Sequence, residues 1–72
     1  MFFGENLQIL RKRDNLSQED LADKLQVSRQ AVSKWERGET LPEVSILLDL
    51  ANVLETSVDH ILNGGNKVLN YK

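Results

Sequence analysis

Apolar residues recur along this chain at spacings of three and four, the period of helices that bury one face. Phe3, Leu7 and Leu10 share a face of a first helix, predicted from about Glu5 to Asp14. Asn15 follows, and asparagine tolerates the left-handed conformation that ends many helices. Ser17 reads as the N-cap of a second helix, with Glu19 and Asp20 in its first turn, where carboxylates suit the helix dipole. That helix ends near Leu25 and offers Leu21, Ala22 and Leu25 to a core. Only Gln26 and Val27 precede Ser28, a second N-cap, and a third helix from Arg29 to about Arg37 that stops at Gly38. A fourth helix is predicted from about Glu43 to Leu54, burying Val44, Leu47, Leu50, Ala51 and Leu54. Ser57 caps a short fifth helix with Val58, Ile61 and Leu62 inward, closed by Asn63-Gly64-Gly65. Such short, unequal helices cannot form long parallel seams, so the expected fold is all-α, a five-helix orthogonal bundle. It occupies one domain, residues 1–64, and 65–72 form a tail or linker.

Composition narrows the function classes. The chain has 72 residues and no cysteine, so neither a disulfide framework nor a Cys-based zinc site supports its small core. No apolar run is long enough to span a membrane, and the start lacks the pattern of a signal peptide, so a cytoplasmic protein is expected. Nine Lys and Arg against eleven Asp and Glu give a net charge of −2, which by itself argues against a nucleic-acid partner. Its distribution argues otherwise. Residues 1–37 sum to +1 and residues 38–72 to −3, and 28–37 hold three bases and one acid.

Two short helices joined by a short turn, here over residues 17–37, have the form of a helix-turn-helix. At about 100° per residue, Arg29, Ser33, Arg37, Gln30 and Lys34 occupy one arc of the third helix, whereas Ala31, Trp35 and Val32 occupy the other. The outward arc holds hydrogen-bond donors and no acid. Arg and Lys can pair with guanine edges and Gln with adenine, so this arc suits a major groove. Arg29 and Gln30, at the helix start, are the best base readers, with Ser33 and Lys34 one turn later. Glu36 lies at the border of the arcs and needs a cationic partner, for which Arg11 is the choice among Arg11, Lys12 and Arg13.

The other conspicuous residues have plainer readings. The angle of Trp35 puts it in the core against the first helix. His60 has no second His or Cys near it in sequence and is expected at the surface or its boundary, not on a metal. Ser57, Asp59 and His60 are triad residue types within one turn, pointing different ways. Gly64-Gly65 lacks the residues of a phosphate loop. No enzyme, cofactor or metal is expected.

Leu16-Ser17-Gln18-Glu19-Asp20-Leu21-Ala22, then Val27-Ser28-Arg29-Gln30-Ala31-Val32-Ser33-Lys34-Trp35-Glu36-Arg37-Gly38, resemble the phage repressor and Cro type helix-turn-helix family. Pro42, Leu47-Leu50-Ala51 and Ser57-Val58-Asp59-His60-Ile61-Leu62 extend the resemblance over roughly residues 3 to 63. It implies a bacterial or phage regulator that binds operator DNA, usually as a homodimer on a palindrome. By that resemblance Arg29, Gln30, Ser33 and Lys34 face bases. Gln18, Ser28, Arg37 and Thr40 contact phosphate, with backbone amides near Thr40 and the start of the fourth helix. Gln18 also braces the recognition helix, and Arg11 and Glu36 form the internal ion pair. The family usually has glycine where this chain has Asn15, Gln26 and Glu55, so these are expected to be left-handed.

Two functions stay open at this stage. The leading one is a sequence-specific transcriptional regulator, a repressor. The alternative is a protein-interaction module, such as the antitoxin of a toxin pair, with secondary DNA binding. A further domain or partner would then engage the fourth and fifth helices or the tail. Phe2, Ile46, Leu48 and Val53 are apolar positions that the predicted core leaves unused.

Overall fold

The structure is a computed structural model that describes residues 3–64, all helical between turns: α1 (Phe3–Arg13), α2 (Gln18–Leu25), α3 (Arg29–Glu36), α4 (Val44–Val53) and α5 (Val58–Asn63). α1 packs on α3 and α5, α2 on α3 and α4, and α4 on α5. The helices therefore close a ring around one core. The expected five-helix orthogonal bundle is the observed architecture. No helix among the described residues is long and apolar enough to cross a membrane.

Caps set most boundaries. Ser17 Oγ accepts from the Asp20 amide at 2.9 Å and Asp20 Oδ2 accepts from the Ser17 amide at 3.0 Å, a capping box that opens α2. Ser28 and Ser57 cap α3 and α5 through the amides of Ala31 and His60. Asn15, Gln26 and Glu55 adopt φ of 58°, 59° and 51°, in the left-handed region expected for them. At each the chain reverses after a helix, and the next amide bonds back into the last turn: Leu16 to Arg11, Val27 to Ala22 and Thr56 to Ala51.

Phe3, Leu7, Leu10, Leu21, Ala22, Leu25, Val32, Trp35, Leu50, Leu54 and Ile61 form the core. Gly4 lets α1 approach the end of α3. A Cβ there would lie 2.5 Å from the Glu36 carbonyl oxygen and 2.7 Å from that of Trp35. Two polar bonds tie the ring across long sequence separations. Asn6 Nδ2 donates to the Ile61 carbonyl at 2.9 Å, and Arg13 Nη2 to the Leu54 carbonyl at 2.6 Å.

Several expectations need correction. α1 begins at Phe3 instead of Glu5, and Glu43 is the N-cap of α4 instead of its first turn. Val44 is 72% exposed, not buried. Its phase matches Ala51 two turns later, but it is the first residue of α4. At that level no neighbouring helix covers it. Leu62 is 42% exposed, because six-residue α5 gives its one inward slot to Ile61. Ile46 and Val53 pack against the core, whereas Leu48 is exposed. Phe2 and residues 65–72 lie outside the described residues.

Candidate nucleic-acid interface

Contacts to α1 and α2 cover one side of α3 and leave the other free. Val32 and Trp35 are buried, and Arg29, Gln30, Lys34 and Arg37 are exposed, with Ser33 half-buried. The inward place of Trp35 and the outward arc both agree with the expectation from spacing. Arg29, Gln30, Ser33, Lys34 and Arg37 together line a shallow open depression of about 370 Å³. Three of these side chains are cations.

The helix is held from behind by a charged clamp. Arg11 Nε donates to Glu36 Oε2 at 2.6 Å and Nη2 to Glu36 Oε1 at 3.1 Å. Arg11 Nη1 reaches the Leu16 carbonyl at 2.8 Å, and Gln18 Nε2 donates to Glu36 Oε1 at 3.1 Å. The pair is nearly dry, with 9% of the Arg11 side chain and 5% of that of Glu36 exposed. α1, the start of α2 and the end of α3 therefore meet on one carboxylate. This is the ion pair expected from sequence, and the Gln18 brace that the family resemblance implies acts on the same carboxylate. Gln18 keeps a second N–H that can donate to an external oxygen.

The remaining phosphate candidates occupy two places. The Ser28 hydroxyl accepts from the Ala31 amide, which leaves its own proton to donate outward. Thr40 is exposed in the link before α4. Glu43 caps α4 with no side-chain hydrogen bond, so its carboxylate does not occupy the leading amides of that helix.

One residue of this surface is absent from the sequence reading. Gly38, at φ 78°, reverses the chain, and the Glu39 amide bonds to the Lys34 carbonyl at 2.9 Å. This folds Glu39 back along α3, where it accepts from Arg37 Nε at 2.6 Å. Arg37 Nη1 also donates to Ser33 Oγ. Both partners of the Arg37–Glu39 pair are about half exposed. The hydrogen bond from Arg37 holds the Glu39 carboxyl below its ordinary range; it outweighs the opposing desolvation, and the charges of Arg37 and then Lys34 add to it. A glycine terminator followed by an acid is the sequence signal for this contact. A helical wheel that ends at Arg37 cannot display it.

The sequence profile of the helix-turn-helix family matches residues 7–61, which include both helices of the motif and the clamp. The chain belongs to the lambda-repressor-like helix-turn-helix family. Its curated relatives include the HTH-type transcriptional activator BcrR of Enterococcus faecalis, 44% identical over 64 residues, 89% of this chain and 31% of that protein. Repressor protein C2 of Salmonella phage P22 is 39% identical over 61 residues, 85% of this chain and 28% of that protein. The chain thus spans less than a third of the length of either relative. The crystal structure of the P22 c2 repressor with synthetic operator 9T is similar at a TM-score of 0.85 and 38% identity, covering 89% of this chain and 97% of that one. In this helix-turn-helix domain α2 and α3 are the motif, and the depression lies on the free face of α3.

Proposed function

We propose that this chain is the sequence-specific DNA-binding domain of a transcriptional regulator, with α3 inserted in the major groove of an operator. The observation that carries this reading is the outward face of α3, which gathers Arg29, Gln30, Ser33, Lys34 and Arg37 on a helix held in place by a buried clamp. Arg29 and Gln30 read base edges from the helix start, and Ser33 and Lys34 extend the readout by one turn. Gln18, Ser28, Arg37 and Thr40 take phosphates, with the leading amides of α4 as a second anion cradle.

The domain acts in the cytoplasm, where its DNA is, and represses by occupying its site. It works as a homodimer, because a single small module buries only ~600–1,000 Å² on DNA. Val44 and Leu48, one helical turn apart and exposed on α4, are the contact residues for a second copy. Half-site centres are then ~34–36 Å apart.

Selection of bound duplexes from a random pool tests the reading. It should return one motif, repeated as a palindrome with that spacing. Arg29→Ala should then cost ~1–3 kcal/mol of affinity and relax preference at one base pair. Enrichment of no motif, or an equal loss on every sequence, removes the base-reading role.

A further inference from the structure

We propose that Glu39 is a built-in competitor of DNA phosphate for Arg37, a counter-ion that holds down sequence-independent binding of the recognition face. The proposal rests on the DNA-binding reading above and assigns a role to a residue that reading does not use.

The geometry carries it. Arg37 closes one end of the depression on α3, and in the free protein its guanidinium is already engaged twice, by the Glu39 carboxylate and by Ser33 Oγ. The Glu39 backbone is fixed by its amide bond to Lys34 and by the left-handed turn at Gly38, so the carboxylate is returned to this place by the fold itself. The Glu39 amide closes the C-terminal turn of α3, but its side chain makes no cap hydrogen bond and is half exposed. Its side-chain partner is the cation at the edge of the readout surface.

Three consequences follow for binding. First, a phosphate that takes Arg37 must displace Glu39, so the Arg37–Glu39 ion pair is lost as the phosphate contact forms. That loss offsets part of the gain that an unpaired Arg37 would bring. Second, Arg37 occupies one acceptor site of Ser33 Oγ, so the exchange frees that site for a base edge, while the hydroxyl proton can donate throughout. Third, the barrier weighs most on random DNA, where no base contacts offset it. The −2 charge of the chain and this local acid act in the same direction.

The test is Glu39→Gln, which keeps length and removes the charge, in the 72-residue chain. Fluorescence anisotropy should follow wild type, Glu39→Gln, Arg37→Ala and the double variant. The probes are a random-sequence duplex and the best duplex from selection, each from ~50 to ~200 mM salt. Glu39→Gln should bind the random duplex up to about fivefold more tightly, the range set by an exposed ion pair. Its log–log salt slope should steepen, by up to about 0.9, one phosphate's worth. The gain should be smaller on the selected duplex, so specificity falls, and it should vanish in the Arg37→Ala background. An equal gain with and without Arg37 overturns the proposal in favour of general charge repulsion. Unchanged binding by Glu39→Gln while wild type binds DNA overturns it alone. Failure of all four proteins to bind either duplex overturns the DNA-binding reading together with it.

Discussion

Removing the carboxylate of Glu36 is the most informative perturbation of the scaffold behind α3. It accepts two hydrogen bonds from Arg11 and one from Gln18, and less than a tenth of either charged side chain is exposed. In Glu36→Ala the guanidinium stays in the same dry position with the Leu16 carbonyl as its remaining acceptor. Breaking a buried pair on one side costs about 3–5 kcal/mol, because it strands a charge. A domain of this length has about 4–11 kcal/mol in all, at 0.05–0.15 kcal/mol per residue. Glu36→Ala should therefore lose from about a quarter to all of its stability, and its melting point should fall by well over ~10 °C. The joint change Arg11→Met with Glu36→Leu removes both charges and should recover most of the loss. Urea unfolding followed by circular dichroism measures all three proteins. Glu36→Ala within about 1 kcal/mol of wild type would mean that the clamp contributes no more than a surface pair. A double variant as unstable as the single one would refute the stranded-charge reasoning and point to lost packing.

Further outcomes are expected elsewhere in the domain. Gly4→Ala should destabilise by about 1–3 kcal/mol although alanine is the better helix former, because its Cβ meets the α3 backbone; a raised melting temperature would refute that contact. Gln26→Gly should stabilise by up to about 1 kcal/mol, as relief of left-handed strain of ~1–2 kcal/mol exceeds glycine's entropic cost of ~0.5–1 kcal/mol; a lower melting temperature would show that the turn is not strained. The Asp20 carboxyl is held below its ordinary value of 3.8, first by the backbone N–H of Ser17 and then by its hydroxyl. Its folded pKa is depressed, so its contribution is complete above about pH 4 and is lost as pH falls through the folded value. Asp20→Asn should thus lower stability at neutral pH and shallow the acid limb of the stability curve, and an unaltered acid limb would refute the capping role.

The sequence by itself determines the elements and the polarity of each face. Serine caps, a period of three to four and well-placed turn residues are local properties, and they set the five helices and the outward arc of α3. The family pattern adds the left-handed sites at Asn15, Gln26 and Glu55; charge balance gives Glu36 a cationic partner on the first helix, and the family pattern agrees with the choice of Arg11. What it does not determine is who stands opposite each residue. Val44 has the phase of a core position, yet it is exposed because no helix reaches its level. Gly4 lies outside the pattern of apolar spacing, yet it is the contact that admits the α3 backbone. Asn6 and Arg13 satisfy carbonyls 55 and 41 residues away, pairings that no local spacing encodes. The same limit applies to the recognition face. An arc without acids is correct for the helix, but the turn at Gly38 brings Glu39 beside it, and only the folded chain decides which loop charge returns to a helix.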